Sequence, residues 1–450
     1  MAVAGVLILT LRRPPEIKAG DFLLFLYPAG KQVLHGHLRY VLVSYHIWDN
    51  LKTYPYPDPP FTAVLLAAFA WLPMKTAAVA WWLFGGALTA LTAALLAARL
   101  AAARQARFAF AGAAILLFAS FAPLASALSS QLDVWVMAPI AGAFVLCTKS
   151  QRLPRHLFAG GMLLGVAAAI RVYPVATLAL IVWLRRSEAR MLLLGAATAV
   201  IASIAVPLAL LGSGPLIQYV HVLTSHGNTF ITAVPQAFGF LNIADRALVA
   251  TPFSINPFHL SPTVPKLMYA AFVGAVLVYV SRRFRAPKAR EGSIWVVALL
   301  TTAAVSPWLE FEHLTTLALA PVLLLADEAN TDSRHRMSWH TWIAPLALAC
   351  FICSAISLPG HSVWADIASV SVAVVAGAYV ARGRAPLSGV FAAAFILLAA
   401  PAFGVSSILW GMRPSLLHVV LGSAEFVFLL AMLASIGAFG GARTQHQPSP

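Results

Sequence analysis

The sequence predicts an all-α polytopic membrane protein, and three observations carry that prediction. Hydrophobic residues make up 60% of the chain and charged residues 10%, with a mean hydropathy of +0.84. Soluble domains carry about 25% charged residues. Apolar runs recur at 77–98, 190–211, 264–281, 363–381 and 415–438, among others, each long enough for a bilayer core of about 30 Å. Finally, basic residues gather in short clusters between those runs, as they do in cytoplasmic loops. Helices follow from this, because open strands leave backbone groups unsatisfied in lipid.

Taken in order, the run at 1–11 is apolar but too short to span. Either more of a helix precedes it, or it enters the membrane obliquely. The loop 12–60 is polar and aromatic, carrying Tyr40, Tyr45, Tyr54 and Tyr56 and ending in prolines. "PFTAVLLAAFAWLP" (60–73) is also short and reads as an interfacial or re-entrant helix. If it spans instead, the loop turns to the cytoplasm, which Arg12 and Arg13 favour. Beyond it, basic clusters at Arg99–Arg107, Lys149–Arg155, Arg185–Arg190, Arg282–Arg290, Arg334–Arg336 and Arg382–Arg384 mark inside turns. The cation-poor loops 125–131, 212–263, 306–312, 359–362 and 411–414 then face outward.

Residues 157–184 run from one basic cluster to the next, so parity demands two short half-spanning helices. They meet near Arg171-Val172-Tyr173-Pro174, where proline disfavours helix in the residue before it. Broken helices at membrane depth line cavities. With the short pieces counted, about 12 to 14 transmembrane helices result, both ends inside. The expected organisation is a catalytic transmembrane core at 1–326 with the outer loop 12–60, C-terminal helices at 327–439, and a disordered cytoplasmic tail at 440–450.

Several function classes drop out. The net charge of +15 resides in loop clusters, so it does not indicate nucleic acid. Cys350 and Cys353 lie in an apolar helix without further ligands, and with Cys147 they read as packing. There is no Walker motif, no dinucleotide fingerprint and no convincing repeat. No ligand spacing for a metal is present, and no cofactor is expected.

Acidic residues on the outward side are few: Asp21, Asp49, Asp58, Asp133, Asp245, Glu310, Glu312 and Asp366. Asp49, Asp133 and Asp366 read as solvated loop charges, and Asp245 with Arg246 as a local ion pair or loop anchor. Three clusters stand out: "GDFLLFLYPAGKQVLHGHLRY" with Asp21 and Tyr27, "YPYPDPPFTAVL" with Asp58, and "SPWLEFEHL" with Glu310, Glu312 and His313. Carboxylates and a histidine from separate outward loops suit general-base chemistry in one cavity. Arg171, an intramembrane charge, is a functional candidate by default, and its guanidinium matches a phosphate bidentately.

These pieces, with "SSQLDVWVMAP" and "AGGMLLGVAAAIRVYP", resemble in order and spacing the bacterial polyprenol-phosphate-mannose-dependent mannosyltransferases of glycosyltransferase family 87, over residues 20–330. The family has a Tyr-Pro-Pro strip before an apolar run ending in Leu-Pro, a Lys or Arg before x-x-Pro, and a Ser-Pro, a Trp and a His-His pair. Here the strip carries an extra Tyr-Pro-Asp, and Glu312 stands where the first histidine of the pair would be. The resemblance implies a GT-C fold and a metal-independent, inverting transfer of a hexose, mannose first, from a polyprenyl-phosphate sugar to a lipid or glycan acceptor. It implies a multi-pass plasma-membrane protein with its site facing the periplasm or exterior. By the same resemblance Asp21 is the general base with Asp58 as its rival. Arg171, His313, Glu312 and Tyr27 contact donor phosphate or sugar. The alternatives are a secondary transporter or flippase of a lipid or anionic solute, with Arg171 lining the path, and a structural membrane protein.

Overall fold

The computed structural model describes residues 22–40, 42–47, 50–56, 58–101, 131–148, 153–225, 239–249, 258–284, 291–307 and 311–329, with Leu429, Leu430 and Leu433. A wide π-helical turn, Phe22–Leu26, leads into α1 (Tyr27–Leu34) and a hairpin of β1 (Leu42–Ile47) and β2 (Asn50–Pro55). Next come α2 (Pro60–Ala70), α3 (Met74–Ala101), α4 (Asp133–Cys147), α5 (Pro154–Ile170), α6 (Pro174–Leu184), α7 (Ala189–Leu211) and α8 (Gly214–Ser225). Then follow α9 (Phe240–Leu248), α10 (Thr263–Phe284), α11 (Glu291–Ala304), a 3₁₀ helix (Phe311–Leu319) and α12 (Ala320–Ala329).

Among the described residues, three helices are long and apolar enough to cross a membrane: Met74–Leu100, Ala189–Leu211 and Thr263–Arg282. They coincide with the apolar runs at 77–98, 190–211 and 264–281. The runs expected at 363–381 and 415–438 lie outside the described residues, apart from Leu429, Leu430 and Leu433.

The chain divides into two units, one of Met1–Leu95, Pro123–Val182 and Arg186–Thr229, the other of Leu96–Ala122, Trp183–Arg185 and Phe230–Pro450. In the first unit α5 packs against both α4 and α7, and α1 against α2. The α5–α7 seam is built on small residues. A side chain at Gly161 would run into the Leu192 carbonyl, one at Gly195 into the Phe158 carbonyl, and one at Gly165 would come within 2.6 Å of the Ala196 carbonyl. Such residues let membrane helices approach backbone to backbone, where burial of apolar surface gives no drive in lipid. Gly30 does the same for α1 and α2, with the Leu66 carbonyl 2.7 Å from where its Cβ would lie. Aromatic rings join the turn, α2, α3 and α4: Phe22 lies 4.9 Å from Trp81, which stacks on Trp135 at 4.9 Å, and Phe69 edges onto Trp81 at 5.5 Å.

The loop 12–60 holds more structure than its composition suggested. Its Phe22–Leu34 stretch is helical, and Leu42–Pro55 pairs antiparallel from Leu42↔Pro55 to Ile47↔Asn50. The β-branched and aromatic run "LVSYHI" is the signal for this strand. By contrast, the break expected near Arg171-Val172-Tyr173-Pro174 is present. Arg171 is extended (φ −135°, ψ 141°), its N–H caps α5 on the Ala167 carbonyl at 3.0 Å, and Pro174 opens α6.

In the second unit α11 is buried along almost its whole length and packs on the 3₁₀ helix and α12. It ends at Ala304, just before Ser306-Pro307, since the residue before a proline leaves the helical region. The Tyr269 hydroxyl of α10 donates to the Val305 carbonyl there. At the other end of α11, Glu291 pairs with Arg185 at 3.1 Å.

Candidate functional site

Where α5 breaks, the first unit gathers its buried charge. Arg171 leaves the helix in extended conformation, which turns its side chain across the N-termini of α2 and α4 rather than along α5. Its Nη2 donates to Gln131 Oε1 at 2.9 Å and lies 3.5 Å from Asp133 Oδ2. Its Nε lies 3.5 Å from Asp58 Oδ1. The two carboxylates are 4% and 0% exposed, while Arg171 itself keeps 19%. Asp133 opens α4, where free backbone N–H groups and the helix dipole favour a negative charge. Its Oδ1 accepts from the Tyr173 hydroxyl at 2.8 Å, so the two residues flanking Val172 hold the same carboxylate. Thr62 fastens α2 to the break by donating from Oγ1 to the Ile170 carbonyl at 2.9 Å.

Tyrosines line one flank. The Tyr40 hydroxyl donates to the Asp58 carbonyl at 3.0 Å, and its backbone N–H to Gln218 Oε1 at 3.1 Å. Its ring centroid lies 5.6 Å from that of Tyr56 and 5.7 Å from that of Tyr219. Burial, with Asp58 close by, pushes all three phenols above their ordinary range, while Arg171 pulls Tyr56 and Tyr219 partly back. At physiological pH these three are therefore neutral donors. Tyr56 Oη is buried and has no hydrogen-bond partner among the described residues.

The expected residues fall as follows. Asp58 and Arg171 are brought together. Tyr27 sits at the α1–α2 corner, its hydroxyl donating to the Leu72 carbonyl at 2.9 Å and Lys31 lying over its ring at 5.7 Å. Glu312 and His313 belong to the 3₁₀ helix of the second unit, and their side chains, like Asp21 and Glu310 altogether, lie outside the described residues. Asp133, read from sequence as a solvated loop charge, is instead fully buried against Arg171, because α4 opens at that residue. Gln131, Tyr173, Gln218 and Tyr219 also join the cluster without having been singled out. The usable signal was the polar Gln131 and Asp133 at the head of an otherwise apolar helix.

Residues 56–307, more than half of the 450-residue chain, match the sequence model of glycosyltransferase family 87. The chain belongs to glycosyltransferase family 87. The matched segment contains Tyr56, Asp58, Gln131, Asp133, Arg171, Tyr173, Gln218 and Tyr219. As a family 87 member the protein is a membrane glycosyltransferase, and the transporter alternative gives way. In structure it is similar to ArnT from Cupriavidus metallidurans bound to undecaprenyl phosphate (15% identity, TM-score 0.47, covering 97% of this chain and 77% of that one). It is also similar to ArnT of the same organism in the apo state (16% identity, TM-score 0.40, 97% and 78% covered). No curated protein sequence matches the chain.

Proposed function

We propose that this glycosyltransferase moves a hexose, mannose first, from a polyprenyl-phosphate sugar to a lipid or glycan acceptor at the outer face of the plasma membrane, with inversion. The observation that supports this best is the buried Asp58–Arg171–Asp133 unit at a helix break inside the family segment. Buried ionic groups at membrane depth mark functional sites. In the transfer, an acceptor oxygen bonds the anomeric carbon as its proton passes to a carboxylate. The bond from that carbon to the phosphate oxygen breaks, and the lipid phosphate leaves with one more negative charge. Arg171 is the cation for that developing charge, with His313, Glu312 and Tyr27 as further donor contacts.

Asp21 is the proposed base. Asp58 is its rival, and with Asp133 it holds the guanidinium in place. Membranes carrying the protein are supplied with labelled polyprenyl-phosphate sugars, and the lipid products are separated. Wild type is expected to label a product. Asp21→Asn lowers the rate at least about a hundredfold at normal expression. If Asp21→Asn transfers undiminished while Asp58→Asn does not, the base is Asp58. If the wild type labels nothing from any such donor, the donor class is wrong.

A further inference from the structure

Tyr56 is the member of the site whose chemistry is unspent. Its side chain is 4% exposed, and its hydroxyl finds no hydrogen-bond partner among the described residues. A buried hydroxyl without a partner destabilises the protein that carries it, and phenylalanine would avoid this at no loss of ring. The buried indole N–H of Trp135 also lacks a hydrogen-bond partner among the described residues. Tyr56 has Asp58 and Arg171 near enough to act on its ionisation. It also stands beside the ring of Tyr40, which reaches in turn to Tyr219.

The groups around Tyr56 indicate the chemistry of the ligand that fits there. Asp58 and Asp133 set two carboxylates around the guanidinium of Arg171. A polyol gains carboxylate acceptors for its hydroxyls, aromatic faces for its C–H groups and a phenol donor there, and the Arg171 guanidinium remains for an anionic group beside it. We propose that Tyr56 binds the hexose ring of the donor, its Oη–H donating to a sugar hydroxyl oxygen beside Asp58. Arg171 then lies at the junction of sugar and phosphate. This rests on the glycosyl-donor reading above and adds the residue that reads the sugar.

The test is Tyr56→Phe in purified protein, with transfer kinetics, inhibition by sugar-free polyprenyl phosphate, and thermal unfolding measured together. The variant is expected to melt at or above the wild-type temperature, since it loses a buried unpaired hydroxyl. Its kcat/KM for the sugar donor falls about tenfold or more, the worth of one lost hydrogen bond to substrate. The inhibition constant of sugar-free polyprenyl phosphate stays at the wild-type value. Parallel weakening of that inhibitor would overturn the sugar assignment in favour of a phosphate contact. Wild-type kinetics in the variant would overturn any role for the hydroxyl and leave the functional reading standing. A wild type inactive with every lipid-phosphate sugar would overturn both.

Discussion

At the scale of single residues, the cluster works as one ionic unit. Arg171 serves two carboxylates that are almost completely out of solvent; the Tyr173 hydroxyl also holds the Asp133 carboxylate, and the Tyr40 hydroxyl holds the main-chain carbonyl of Asp58. Deleting one member of a buried ion set leaves its partners uncompensated, at a cost of about 3–5 kcal/mol, whereas removing matched members together costs far less. Arg171→Ala should therefore lower the unfolding temperature in detergent sharply. Asp133→Asn made in that background should recover part of the loss, because one of the two stranded carboxylates is then neutral. Independent, additive losses would show that Asp133 and Arg171 do not interact. The sequence showed two of its three charges. Arg171 and Asp58 stood out as charges beside prolines in an apolar chain. Asp133 did not, because burial of a carboxylate depends on which helix end it caps and on what crosses that end.

At the scale of elements, two devices place the site: the proline break that frees Arg171 from α5, and the glycine seam that brings α7 against α5. The break was legible, since Tyr173-Pro174 falls midway between two basic turns. The seam was not, because Gly161, Gly165 and Gly195 read only as members of apolar runs until a partner helix is known. The close approach makes a firm expectation. Gly161→Leu places a side chain on the Leu192 carbonyl, so α7 must move away and the α5–α7 packing is lost. Folded protein recovered in detergent should drop severely. Gly86→Ala is the control, as nothing among the described residues lies within 4 Å of a Cβ there. In the middle of α3 it should be neutral or stabilise by about 0.5–1 kcal/mol. Equal recovery of the two variants by size-exclusion chromatography would mean that the seam is not a tight one.

At the scale of the whole molecule, composition and charge spacing decided the class, and the three long spans among the described residues fall on the apolar runs at 77–98, 190–211 and 264–281. What composition hid was the ordered part of the loop 12–60. Its π turn, α1 and hairpin are short; α1 packs on the π turn and on α2, the two strands pair with each other, and the Gln218 side chain accepts from the Tyr40 N–H, 178 positions apart in sequence. This loop also carries the consequence of orientation. Its hairpin leads directly into Tyr56 and Asp58, so on the proposed function the compartment that sees the hairpin is the one from which acceptor would reach the cluster. On the proposed orientation it faces outward, and the basic turn between α6 and α7 faces the cytoplasm by the weight of Arg185, Arg186 and Arg190. In a background with Cys147, Cys350 and Cys353 replaced, Tyr45→Cys should react in intact cells with a thiol reagent that does not cross membranes. Arg186→Cys should react only after the cells are opened. The reverse pattern would place the Asp58–Arg171 cluster on the cytoplasmic side and end the outer-face reading, since donor and acceptor would then have to meet on the inner leaflet.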